Sequence, residues 1–234
     1  MIAETISWFG DPANWQGVDG VPARLLEHAA YVLSALAIAA AVAVPLGLYV
    51  GHTGRGAVTL VGGGNSVRAL PTLGLVTFLF LLFSDSETAT MIGLVVLGIP
   101  SILAGTYAGL QATDHEVVDA AEGMGMTGWQ RLWKVEVPIA LPLMLGGVRN
   151  AALQLVATAA VAAYVGLGGF GRYVLDGLAV FDYGEVVAGA LLTALLAVVF
   201  DLAIGGVQRA LVPKGVRLAA DAGAGMQVSG EEVA

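Results

Sequence analysis

The charged and aromatic side chains that could do chemistry crowd into one stretch, Glu116 to Pro142, reading EVVDAAEGMGMTGWQRLWKVEVPIALP. It opens with Asp119, Ala120, Ala121 and Glu122 and turns through Gly123, Gly125 and Gly128. Trp129, Arg131, Trp133 and Lys134 follow, and Pro138 and Pro142 close it. Glycines after a short helical run permit the left-handed conformations that end helices, and prolines are tolerated in the first turn of the next. The stretch is therefore predicted to be a short helix, a turn and the beginning of a new helix.

Three patterns imitate ligand-binding motifs. GMGMTG (Gly123, Gly125, Gly128) and GLGGFG (Gly166, Gly168, Gly171) both fit G-x-G-x-x-G. That fingerprint needs a strand before it, a helix after it and an acidic residue about 20 positions on, within a βαβ unit. A charged helix precedes the first and an apolar helix the second, so neither is read as a dinucleotide site. His115-Glu116-Val117-Val118-Asp119 falls short of H-E-x-x-H and reads as a polar helix face. His28, His52 and His115 are scattered, G-x-S-x-G is absent and there is no cysteine. No metal or nucleophile cluster is therefore expected. With Lys134 and Lys214 the only lysines, there is no G-K-[ST] and no P-loop for ATP.

The elements that must hold the island are membrane spans. Hydrophobic residues make up 57% of the 234 and charged ones 12%, with a mean hydropathy of +0.83, far from a soluble domain. Several runs are long enough to cross about 30 Å of hydrocarbon. The net charge of -8 offers no basic surface for phosphates, so nucleic acid is not an expected partner.

In chain order, residues 1–23 form a lead-in with Trp8, Phe9 and Trp15, in which no cleavable signal peptide is recognised. These aromatics either lie at a membrane interface or belong to a poorly ordered end. Residues 24–213 carry the spans. The first runs from about Ala29 to Val50; its Gly47 and Gly51 form a G-x-x-x-G pair that, among 33 glycines, is given no weight. The second, about Ala57 to Phe83, is interrupted by GGGNSVRALP, whose Gly62, Gly63, Gly64 and Pro71 are expected to break or kink a helix.

Asn65, Ser66, Arg68 and Thr72 then place polar groups at membrane depth, where broken backbone is tolerated only inside protein or facing water. Arg68 is a functional candidate, or it pairs with a carboxylate such as Glu87 or Asp85, or it snorkels. The third span covers about Thr88 to Leu110 and the fourth about Leu143 to Val165. Along the fourth, Asn150, Gln154 and Thr158 recur at every fourth position, forming a stripe that lines a polar path or bonds a neighbouring helix. The fifth covers about Val186 to Val207. The tail, 214–234, is small, polar and glycine-rich and is expected to be disordered.

Orientation follows from the basic residues. With the island in the cytoplasm, Arg55, Arg131, Lys134, Arg149, Arg209, Lys214 and Arg217 fall on or near that side. Arg24 and Arg172 fall outside and Arg68 within the bilayer. That asymmetry satisfies the positive-inside rule and puts the amino end outside and the carboxyl end inside.

On these residues the island resembles the E-A-A loop of ABC importer permeases, whose pattern is E-A-A, three residues, G, nine residues, I-x-L-P. It falls here on Asp119-Ala120-Ala121, Gly125 and Val135-Glu136-Val137-Pro138 with the spacing intact; Asp replaces Glu, and Val replaces Ile and Leu. The flanking text NSVRALPTLGL, DAAEGMGMTGWQRLWKVEVPIALPLMLGGVRNA and AAYVGLGGFG is similar to permeases for glycine betaine, choline, carnitine and related quaternary amines. The resemblance implies an all-α polytopic bundle of about five transmembrane helices with the binding-protein-dependent importer permease fold, in a prokaryotic plasma membrane.

It also implies a cytoplasmic ABC ATPase as a separate subunit, an extracytoplasmic substrate-binding protein and a second permease chain, identical or related. This chain would bind no cofactor; ATP and Mg are expected on the ATPase. Asp119, Ala120, Ala121, Glu122, Gly123, Met124, Gly125 and Met126 would form the docking loop that transmits closure of the ATPase dimer. Small alanines, charges and adaptable methionines suit a helix seated in a partner's groove. Asn65, Arg68, Thr72, Asn150, Gln154 and Tyr164 are the candidate lining of a pathway. A methionine importer is the nearest alternative substrate class. A passive channel is a rival from another class, but it leaves the island without a role; an intramembrane enzyme has no catalytic cluster to support it.

Overall fold

The computed structural model describes residues 1–213 and 215–216, so the predicted disordered tail lies almost wholly outside the described residues. Every regular element among them is helical. The α-helices are α1 (Ile2–Gly10), α2 (Val21–Thr53), α3 (Ala57–Arg68), α4 (Thr72–Phe83), α5 (Ser86–Gln111), α6 (His115–Gly123), α7 (Gly128–Arg131), α8 (Val137–Ala162), α9 (Gly171–Val180) and α10 (Tyr183–Leu211). Four stretches are long and apolar enough to cross a membrane: α2, α5, Gly128–Val165 around α8, and α10. The pair α3 and α4, bent by 95°, makes the fifth if counted as one span. Each of these two has 12 residues, or about 18 Å, too short to cross alone.

Aspartates set several helix starts. Asp85 accepts from the Thr88 amide, Asp114 from Glu116, and Asp182 from Gly184 and Glu185, satisfying amides that a helix leaves unpaired. The Thr88 hydroxyl and amide hold the Asp85 carboxyl below its ordinary range.

The centre of the bundle is α5, which packs against α2, α8, α3 and α4. Its glycines explain how it approaches them. A Cβ on Gly105 would lie 2.7 Å from the Gly147 Cα of α8, and one on Gly109 would lie 2.8 Å from the Ala140 carbonyl oxygen. On α2, a Cβ on Gly47 would meet the Thr106 Cβ at 2.6 Å, and one on Gly51 would meet the Leu110 Cβ at 2.8 Å. The Gly47 and Gly51 pair, given no weight on counting grounds, is thus a real close contact of the small-residue kind.

The second span breaks elsewhere than its glycines predict. Helix α3 runs through Gly62, Gly63 and Gly64 to Arg68, and the chain turns only at Ala69 to Pro71. Glycine weakens a helix by about 1 kcal/mol relative to alanine without forbidding it, whereas proline also moves the residue before it out of helical geometry.

At the end where α2 begins, GLGGFG is packed onto the bundle. The Gly169 amide donates to Glu27 (2.9 Å), and the Phe170 amide donates to the His28 Nδ1 (3.2 Å). That leaves the Nε2 of His28 to donate to the Val156 carbonyl at 3.0 Å. A Cβ on Gly171 would sit 2.0 Å from the Ala160 oxygen, and the Gly169 and Phe170 amides that a phosphate would need are already paired. Trp8 of α1 meets Tyr173 edge-on at 5.1 Å. Burial pushes the Tyr173 hydroxyl up to about 12, and it donates to the Asp19 carbonyl at 2.6 Å.

Arg149, counted among residues near the cytoplasmic side, sits well inside α8 and forms a two-pronged ion pair with Asp201 of α10. It is not a loop charge.

Candidate docking loop and intramembrane polar chain

The spacing D-A-A-x-x-x-G has a local geometric meaning. Helix α6 ends in a Schellman turn: the Met126 amide donates to the Ala121 carbonyl (3.2 Å) and the Gly125 amide to the Glu122 carbonyl (2.8 Å). Gly125 is the left-handed residue of that turn, with φ +82°, a conformation side chains disfavour. Ala121 is buried and anchors the helix, while Asp119, Ala120, Glu122, Gly123, Met124 and Gly125 are exposed and Met126 is half-buried. A small, outward-facing helix end is thereby held at a fixed distance from the bundle.

Beyond the turn, Thr127 and Gln130 form a reciprocal capping box that starts α7. Leu132–Glu136 then widens into a π-helical segment that continues into α8. Glu136, the variable residue of V-x-V-P, is buried. Arg131 Nε donates to its Oε1 at 2.7 Å, and His52, in the last turn of α2, lies with Nδ1 2.7 Å from its Oε2. An ionised carboxylate only accepts, so the His52 tautomer that bonds one is the one with its proton on Nδ1. Arg131 also pairs with Glu122 of α6. Neither His52 nor Glu136 was proposed for the loop from sequence; the available signal was a carboxylate amid apolar residues at the head of a span.

The candidate pathway residues divide. Arg68 donates to the Ser101 hydroxyl of α5 at 3.2 Å, and that hydroxyl donates to Gln154 Oε1 at 3.3 Å. Arg68 and Gln154 are therefore joined through a serine that sequence reasoning did not select. The carboxylates proposed as Arg68 partners, Asp85 and Glu87, lie across the 95° bend near the far end of α4. Thr72 is half-buried at the head of α4; Asn150 on α8 and Tyr164, just beyond it, are exposed. None of these three joins the chain, and the Asn65 side chain lies outside the described residues. The stripe separates because each step of four residues turns a helix about 40° past a full circle. Asn150 accordingly ends up exposed, Gln154 half-buried and Thr158 buried.

A family model described as "Binding-protein-dependent transport system inner membrane component" matches residues 30–216. The chain belongs to this family. The match begins inside α2, at residue 30, and takes in both the α6 turn and the polar chain. The chain is 30% identical over 191 residues to the glycine betaine/carnitine/choline transport system permease protein OpuCB of Bacillus subtilis (strain 168), covering 82% of this chain and 88% of that one. It is 32% identical over 219 residues to the osmoprotectant import permease protein OsmW of Salmonella typhimurium (strain LT2), covering 92% and 100%. Among solved structures, an inward-facing MetNI methionine ABC transporter chain superposes with a TM-score of 0.73 at 21% identity, over 82% of this chain and 96% of that one. That last likeness concerns the fold. The chain is thus a membrane component of a transport system, built on the permease architecture of ABC transporters.

Proposed function

We propose that this chain is the permease subunit of an importer for glycine betaine, choline, carnitine or related quaternary-amine osmoprotectants. The supporting observation is the exposed end of α6, closed by the Gly125 turn and clamped to the bundle through Arg131. A separate cytoplasmic ATPase, which carries the ATP and Mg, docks there. A binding protein delivers substrate on the opposite side, and a second permease chain completes the pathway. Asp119 to Met126 form the docking surface, and the pathway is lined from Asn65, Arg68, Thr72, Asn150, Gln154 and Tyr164, with Ser101 joining Arg68 to Gln154. The amino end faces outward and the carboxyl end the cytoplasm. The substrate class follows that of the relatives at 30 and 32% identity, and the methionine transporter shares only the fold.

The test is uptake of radiolabelled glycine betaine and choline into vesicles holding the permease, its ATPase and the binding protein, with the Gly125→Asp variant alongside. The expected result is ATP-dependent uptake that Gly125→Asp abolishes, because aspartate at φ +82° disfavours the turn and adds a charge at the contact. Uptake of neither compound would discard the substrate class. Flux without ATP would favour a channel.

A further inference from the structure

Along the head of α8 every fourth residue faces inward: Leu132, Glu136, Ala140 and Met144 are 6, 5, 0 and 8% exposed. Three of these pack with Leu48 of α2 and Leu110 of α5 as one apolar cluster. Glu136 occupies the remaining place in the row, where packing alone would favour a hydrocarbon. A carboxylate is tolerated there only with partners, and an apolar replacement of the whole pair would pack at least as well. Its partners therefore point to a role other than filling the core.

Those partners join three elements. Oε1 takes Arg131, five residues away in the chain, and Oε2 takes His52, 84 residues away. The same guanidinium reaches Glu122 on α6. By its backbone α6 is connected to α5 and, through α7, to α8. Its link to α2 runs through side chains. The apolar contacts at this end can slide, whereas charge-assisted bonds at 2.7 Å fix direction as well as distance.

We infer that Glu136 and His52 are positioning residues. Through Glu122, Arg131, Glu136 and His52 the docking helix, the head of α8 and the end of α2 form one rigid lever, so displacement of α6 is delivered to the first span. This deepens the docking reading above and rests on it.

The experiment compares wild type with the double variant Glu136→Met/His52→Leu, which replaces the pair by hydrocarbon, in the reconstituted complex with ATPase and binding protein. Betaine uptake and ATP hydrolysis are measured in the same vesicles. Spin labels at His115→Cys on α6 and Thr53→Cys on α2, in a chain without native cysteine, report the separation of the two elements with and without ATP. In wild type one narrow separation, unchanged by ATP, is expected. In the double variant the separation should broaden or shift, and betaine carried per ATP should fall at least tenfold while hydrolysis continues. His52→Asn, which keeps a donor near the place of Nδ1, should recover most of the ratio. Should the double variant not assemble, Glu136→Gln, close in shape, is expected to lower the ratio in the same way.

An unchanged ratio and separation in whichever variant assembles would overturn the lever and leave the importer standing. Absence of betaine uptake by wild type would instead overturn the substrate reading, flux without ATP would overturn the importer reading, and the label separation with ATPase bound would still decide the lever.

Discussion

Ser101 is a single hydroxyl on which two long polar side chains depend, since it accepts from Arg68 and donates to Gln154. Ser101→Ala removes both bonds, and α3 loses its polar tie to α5. A net hydrogen bond contributes about 1 kcal/mol, which corresponds to about a fivefold change in a local opening equilibrium. Amide hydrogen exchange across Ala57–Arg68 should therefore speed up by about fivefold in Ser101→Ala, and Ser101→Thr, which keeps the hydroxyl, should restore protection. Unchanged exchange would show that the backbone packing of α3 makes this chain dispensable. The helix and turn that close α6 were legible because their geometry is local: Ala121, Glu122, Gly125 and Met126 meet within one turn. Ser101, His52 and Glu136 were not, because their partners are brought by the fold from 33 to 84 residues away. A serine or glutamate in an apolar run carries no periodic signal of what will face it.

Between helices, the informative residues are glycines, and composition alone does not distinguish them. Gly105 and Gly205 both lie in apolar helices, yet a Cβ on Gly105 would lie 2.7 Å from the Gly147 Cα and 2.8 Å from the Leu143 oxygen, while Gly205 has nothing within 4 Å. The atoms against Gly105 are backbone and cannot rotate away. Overpacking of this kind costs about 3 kcal/mol or more at such rigid sites. Gly105→Val should accordingly lower the thermal midpoint of the detergent-solubilised protein sharply. Gly205→Ala should leave it level or raise it by the few tenths to about 1 kcal/mol that alanine gains over glycine in a helix. Equal midpoints for the two would show that α5 and α8 can separate without cost. The four long spans were legible because apolar length is a property of the chain alone, although α2 begins at Val21 rather than near Ala29. Of the breakers expected in GGGNSVRALP only the proline end acts as one, while within the packed fold the helix continues through the three glycines.

At the scale of the molecule, charge and cap chemistry separate the two ends of the bundle. Acidic Asp85 and Glu87 stand at the head of α5, and beyond its other end follow α6, Trp129, Arg131 and Lys134. The 26 residues of α5 extend about 39 Å, enough to carry the chain across about 30 Å of hydrocarbon. Glu87 and Glu116 must then lie on opposite sides, and both are exposed. Removing Arg149 from the loop charges, because it lies mid-way along α8 and pairs with Asp201 of α10, leaves Arg55, Arg131, Lys134 and Arg209 among the described residues near the α6 end, against Arg24 and Arg172 near the other. The asymmetry is smaller than the sequence count but keeps its sign, which is what the positive-inside rule expects if the α6 end faces the cytoplasm. Because the native chain has no cysteine, a membrane-impermeant maleimide reads this directly. In right-side-out vesicles the Glu87→Cys variant should label at once and Glu116→Cys only after the membrane is opened. The reverse pattern would place α6 outside, away from any cytoplasmic ATPase, and the docking reading would fall with it. Labelling of both before opening would mean that α5 does not cross, against the apolar length and burial that make it the centre of the fold.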